Sequence, residues 1–176
     1  MSELQSIHYP LSDSDINYIL EPDTKVQPYR VLDDMSHIDQ VFDNLGRAVL
    51  LYSTTGDNEG HWVGLIKRQN KIEFFDSYGF KPDVQQFKLG ENIDNVRYEQ
   101  HDNDLTRLLR ESKYKVYYNT HAFQDFSKPK VATCGRWVAL RLYYYKKTLQ
   151  SFYNMVTKSG QNPDAWVTRQ TNKLLR

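Results

Sequence analysis

An α+β domain with a small antiparallel or mixed sheet flanked by helices is the fold class this sequence predicts, on three observations. Segments whose apolar residues recur three and four apart, the helical period, lie towards both ends of the chain. Between them an apolar run at 48–52 is followed by two strand-like stretches, 62–67 and 71–75, joined at Arg68-Gln69-Asn70, which are turn residues. With 176 residues, 39% of them hydrophobic, the chain can bury one real core and is too short for two comfortable ones, so residues 1–176 are read as a single domain.

Each element has its own signal. Ser12-Asp13-Ser14-Asp15 supplies N-cap residues ahead of Ile16, Ile19 and Leu20, which predicts a helix over 13–20 that Pro22 ends. Ile38, Val41, Phe42 and Leu45 share one helical face, so a second helix is expected over 36–45, with Gly46 as its stop. The run 48–52 reads as a buried strand, and 54–60, polar with two glycines, as a loop. Leu105, Leu108 and Leu109, behind Asp102 and Asp104, predict a helix to about residue 113, and 115–118 an edge strand. From Gly135 to about Leu149, Trp137, Val138, Leu140, Leu142, Tyr145 and Leu149 wrap much of a helix, which should be deeply buried near its start. A last helix spans 163–174, with Pro163 suited to its first turn.

Composition narrows the function by exclusion. Charged residues make up 26% of the chain, yet the net charge is only +1, so bulk electrostatics select neither nucleic acid nor a membrane surface. No apolar run approaches the roughly 20 residues that span a bilayer, and Met1-Ser2-Glu3-Leu4-Gln5-Ser6 lacks the basic-then-apolar pattern of a secretory signal. The expectation is a protein that is neither secreted nor membrane-bound. Thirteen tyrosines in an aromatic content of 14% point to wet aromatic patches or a groove for extended peptide, although compositional drift explains them equally well.

Cys134 is the only cysteine, which rules out an internal disulfide and a cysteine-rich zinc site. It stands in Ala132-Thr133-Cys134-Gly135-Arg136-Trp137, where a polar loop gives way to the apolar helical stretch. The unpaired N–H groups and positive dipole end of a helix start favour an anion there, so the sulfur is held partly as thiolate, its nucleophilic form. Gly60-His61-Trp62 puts a histidine at a loop–strand junction. Fifteen residues on, Phe75-Asp76-Ser77-Tyr78-Gly79 puts an aspartate at the end of the paired strand. Thiol, imidazole and orienting acid are what a cysteine protease needs. Singly, each has an ordinary explanation: His61 as a surface or capping residue, Asp76 as a turn residue bonding local backbone, Cys134 as a small core hydrophobe. It is their combination that points to catalysis.

These three motifs, in this order and spacing, resemble the adenain-type cysteine proteases, the clan of the adenovirus and SUMO-specific proteases. The Thr-Cys-Gly-Arg-Trp form is most similar to the maturation proteases of virophages, Polinton-like elements and large DNA viruses. The resemblance covers roughly residues 50–145. It implies a papain-like, adenain-like fold with the nucleophile at a helix N-terminus, His61 as general base, Asp76 as its orienting acid, Cys134 as nucleophile and Trp62 packed against the substrate cleft. It also implies an oxyanion hole made by the backbone N–H of Cys134 and an upstream glutamine. Gln124 is the nearest, ten residues before Cys134, with Asn119 as the fallback.

The activity so implied is endopeptidase cleavage through a thioester, maturing viral capsid or core proteins with a small residue, often glycine, before the scissile bond. No cofactor is required, with an activating peptide or DNA left open. The partner is a protein precursor, with DNA as a guide also left open, and the chain is expected to be a monomer in the virion and in host cytoplasm or virus factory. The same groove serves a deubiquitinase or SUMO-type isopeptidase, and without turnover the fold is a peptide-binding module. His8, His37, His101 and His121 form no ligand-spaced cluster, so no metal site is expected. His121, close to Gln124, is a minor candidate for lining the cleft. Lys128, Lys130, Arg136, Arg141, Lys146 and Lys147, interleaved with Tyr143 to Tyr145, read as a solvated helix face in preference to a nucleic-acid stripe.

Overall fold

The computed structural model describes residues 7–21, 23–56, 59–89, 95–128 and 130–176. Met1 to Ser6, the stop at Pro22 and residues 57–58 lie outside it, and the rest of the stretch expected as a loop over 54–60 is strand instead. Helix α1 (Asp13–Leu20) leads into strand β1 (Lys25–Pro28), and short 3-10 turns follow at Tyr29–Leu32 and Ile38–Val41. Strands β2 (Arg47–Gly56), β3 (Glu59–Arg68) and β4 (Lys71–Asp76) then form the antiparallel centre of the sheet. After helix α2 (Gln85–Lys88) and helix α3 (Asp104–Glu111) comes strand β5 (Lys115–Tyr118). Helices α4 (Cys134–Tyr143), α5 (Leu149–Lys158) and α6 (Pro163–Leu174) complete the chain. The sheet order is β1-β2-β3-β4-β5, and both edge strands run parallel to their neighbours, so the α+β expectation holds with a five-stranded mixed sheet.

Strand alternation sorts the side chains onto two buried faces. Val49, Leu51, Trp62, Ile66 and Phe75 pack on α1, α4, α5 and α6. Ala48, Leu50, Tyr52, Val63, Leu65, Ile72 and Phe74 pack on α3 and the 3-10 turns. Helix α4 lies so close to β3 that a Cβ on Gly64 would stand 2.6 Å from Leu142 Cδ1 and 3.2 Å from Val138 Cγ1. Gly64→Val is therefore expected to lower unfolding free energy by about 1–3 kcal/mol in a urea titration. A loss below a few tenths would mean that α4 sits farther from the sheet.

The helix expected over 36–45 is a single 3-10 turn. Gln40 Oε1 accepts the backbone N–H groups of Ser36 and His37, and Asp43 Oδ1 accepts those of Leu45 and Arg47. Gln40 thereby caps the start of the turn, and Asp43 takes the Leu45 N–H that a helix would give to the Val41 carbonyl, while Ile38, Val41 and Phe42 are buried all the same. The helix expected from Gly135 to Leu149 is two helices. Arg141, fully buried, donates to the carbonyls of Tyr144 and Lys147, which closes α4 and turns the chain into α5. Strand β1 has no alternation and ends on Pro28, tolerable only at an edge, which is why its sequence does not announce it.

Candidate active site

The ladder between β3 and β4 ends at the pair Val63↔Asp76. Two residues before Val63, and on the same face, stands His61, so its ring reaches back across the sheet end to Asp76. His61 Nε2 lies 2.9 Å from Asp76 Oδ1, with His61 3% and Asp76 0% exposed. Cys134 opens α4 and is 8% exposed. The His61 ring and the backbone N–H groups of Trp62 and Gly135 lie close enough to the sulfur to draw its thiol below the ordinary value. Since Nε2 serves Asp76, Nδ1 is the nitrogen left for the sulfur. Structure thus brings together the three residues that sequence spacing separates by up to 73 positions.

Charge follows this geometry. Burial opposes a charged His61, but the Asp76 carboxylate, through its charge and hydrogen bond, prevails with help from the sulfur, and the imidazole is pushed up to about 10. Burial likewise opposes the thiolate, yet the His61 hydrogen bond and charge and the two backbone N–H donors bring Cys134 below its ordinary value. Both shifts run towards the thiolate–imidazolium form, in which the nucleophile is already formed.

Several groups hold this arrangement. Asp76 Oδ1 also accepts the N–H of Tyr78 at 2.7 Å, so the turn-residue reading of Asp76 and the orienting-acid reading describe the same oxygen. Asp76 Oδ2 accepts from Gln85 Nε2, on the short helix α2. Gln85 is placed by Asp83, whose carboxylate accepts the hydroxyls of Tyr29 and Tyr52 and the N–H of Thr106. The turn after Asp76 closes with a 2.9 Å bond from Gly79 N–H to Asp76 O. Gly79 has φ +76°, and a Cβ there would meet the carbonyls of Thr120 and His121 at 3.2–3.3 Å, so only glycine fits. Thr133, just before the nucleophile, donates its hydroxyl to Asp164 of α6 instead of capping α4. The first turn of α4 thus has no side-chain cap, and its N–H groups serve the sulfur and any negative charge formed beside it.

The secondary sequence readings divide. Gln124 is buried; its Oε1 accepts from Ser77 Oγ at 2.9 Å and its Nε2 donates to Val131 O at 2.7 Å, one engaged N–H of two. Asn119 cannot be the fallback oxyanion donor. Its Nδ2 gives bonds to Asp76 O and His121 O, and its Oδ1 accepts Asp76 N–H, which makes it the clamp on the aspartate backbone. His121 stacks on Tyr153 at 4.4 Å and lines a cavity of about 670 Å³ with Arg68, Lys71 and Tyr117, a cavity that neither His61 nor Cys134 lines. Trp62 is buried, its ring 3.0 Å from where a Gly135 Cβ would stand, so it supports the nucleophile's turn from below. Arg136 and Arg141 are buried and take no part in the basic face assigned to them, whereas Lys128, Lys130, Lys146 and Lys147 are exposed. Gln85, Tyr78 and Asp164 escape a reading by motif. Only the proximity of Tyr78 to Asp76 in the chain hints at any of them.

The fold and this cluster define an α+β protein with a buried cysteine–histidine–aspartate relay at the end of a mixed sheet. No protein-family model matches the chain. It is 36% identical over 172 residues to a Sputnik virophage protein, "Uncharacterized protein V9", covering 92% of this chain and 93% of that one. The chain belongs to the family of that virophage protein. Among the described residues no helix is long and apolar enough to cross a membrane.

Proposed function

We propose that this protein is a thiol endopeptidase of the adenain type, with the papain-like fold of that clan, and that it matures capsid or core precursors of a virus. The observation that carries the reading is the relay itself: a sulfur at an uncapped helix start, its thiol drawn below the ordinary value by an imidazole whose Nε2 is 2.9 Å from a buried carboxylate. Membership in a virophage protein's family supports the viral setting.

In this reading the Cys134 thiolate attacks the carbonyl carbon of the scissile bond. The oxyanion forms beside the backbone N–H of Cys134 and the second amide N–H of Gln124. As the tetrahedral adduct collapses, the imidazolium of His61 gives its proton to the leaving amine, and a thioester remains. His61 then takes a proton from water, which attacks the thioester and frees the acid and the thiol. Asp76 keeps the ring's orientation throughout. The cleft close to Trp62 favours a small residue, glycine above all, before the cleaved bond.

Incubation of a capsid precursor with the protein tests the reading. Wild type is expected to cleave it after a small residue, while Cys134→Ala and His61→Ala yield no product and keep their circular dichroism spectra. Cleavage that survives in either variant refutes the mechanism. Turnover confined to ubiquitin- or SUMO-derived reporters would move the assignment to an isopeptidase.

A further inference from the structure

Beside the relay lies an aromatic surface to which none of the roles above gives work. The Tyr78 ring stacks on the His61 imidazole at 4.6 Å between centroids and 9° between planes. Phe126 meets Tyr78 edge-on at 5.0 Å and Phe80 edge-on at 5.3 Å, and Phe80 closes the triangle with Tyr78 at 5.8 Å. These rings are not core: Tyr78 and Phe80 are half-buried, and Phe126 is 47% exposed. A continuous apolar face therefore runs from the general base to solvent, in a loop region that has nothing to gain from exposing phenylalanine.

We propose that Tyr78, Phe80 and Phe126 form a subsite for an aromatic or large aliphatic side chain of the substrate, within three residues of the cleaved bond on its leaving-group side. This rests on the peptidase reading of the same site and adds its substrate class. Three observations fix the occupant. First, the leaving amine takes its proton from His61, so the peptide beyond the cleaved bond starts at the imidazole, the ring that Tyr78 covers. Two ring spacings, 4.6 and 5.0 Å, carry the surface from there to Phe126, a reach that extended peptide at about 3.3 Å per residue covers in two to three residues. Second, the apolar groups under the nucleophile's turn, Trp62, Ile16 and Leu11 around Gly135, are all buried, whereas Phe126 reaches solvent. Third, the carboxylate beside Phe126 is engaged. Asp125, next to Phe126, is held by the N–H and hydroxyl of Ser127 and by Lys128 at 3.3 Å, so an apolar partner suits it and an ionic one does not.

Fluorescence anisotropy with two labelled peptides tests this. Both contain a glycine pair, followed within three residues by phenylalanine in one and by alanine in the other, and both are titrated into Cys134→Ala. The phenylalanine peptide is expected to bind about tenfold more tightly, from partial burial of one ring. Adding Phe126→Ala, at an exposed position the fold does not depend on, should bring that preference below about twofold. A control pair varied before the glycines should be indifferent to Phe126. A preference unchanged by Phe126→Ala, or one that moves only in the control pair, overturns the subsite. Discrimination by Cys134→Ala with no cleavage of either peptide by wild type would sustain the subsite and overturn the peptidase reading instead.

Discussion

Exchange of Asp76 for asparagine is expected to cut peptide turnover by about three to four orders of magnitude, the loss typical of a triad whose acid is neutralised, and to change the reactivity of the free enzyme in a defined direction. In wild type the carboxylate, 2.9 Å from Nε2, outweighs the cost of a buried positive charge and pushes His61 up to about 10. With asparagine that support goes while burial remains, so the imidazole titrates lower and is neutral near pH 7. The sulfur then loses its cationic partner and its own value rises. Iodoacetamide alkylation of Cys134 at pH 6–7 should accordingly slow by about ten- to a thousand-fold, and its pH midpoint should move up. The linkage to stability has a definite sign. A folded-state value above the ordinary 6.5 gives a contribution fully present below pH 6.5 and lost as pH climbs through about 10. Unfolding free energy of the wild type should show this loss and that of Asp76→Asn should not. An alkylation profile identical in the two proteins would mean that Asp76 does not govern the pair.

The second large effect is structural and lies at the other end of α4. Arg141 Nε and Nη2 bond the two carboxylate oxygens of Glu73 at 2.8 Å each, and both residues are fully buried. The same guanidinium holds Tyr144 and Lys147 carbonyls and lies over the Phe152 ring, so one side chain joins β4, α4, the turn at 144–148 and α5. Glu73→Ala would leave that guanidinium buried without its counter-charge, at a cost of about 3–5 kcal/mol. Replacing both partners, as Glu73→Leu with Arg141→Met, should recover part of it, because no buried charge is then left unpaired although the Tyr144 and Lys147 carbonyls lose the Arg141 donors. Urea unfolding of the single and double variants measures the difference. A single-variant loss under about 1 kcal/mol would show that water reaches the pair. Because α4 presents Cys134 at its first residue, the single variant should also slow the thiol, whereas the double variant should not.

Much of the architecture is legible in the chain because its cause is local. Ser12 caps the helix over 13–20 as expected, Pro163 opens α6, and the strands around Gln69-Asn70 pair as the hairpin those residues imply. The failures share a cause as well. Ile38, Val41, Phe42 and Leu45 show the same apolar spacing whether the backbone is helical or not, and only the side-chain bonds of Gln40 and Asp43 to Ser36, His37, Leu45 and Arg47 decide it. Likewise Arg141 reads as a surface charge until Glu73, 68 residues away, is folded against it.

The sequence by itself determined which chemistry is on offer: one thiol before an apolar helix, one histidine at a strand start and one aspartate at a strand end, because each depends on residue type and on neighbours a few positions away. Tertiary structure alone decided their distances and charges. A 2.9 Å contact, an uncapped first turn held open by Asp164, and the clamps of Gln85 and Asn119 on Asp76 all join residues far apart in the chain. Those contacts favour the charged forms of His61 and Cys134 against the cost of burial, since the fields that shift a proton act over ångströms in space and are blind to separation along the backbone.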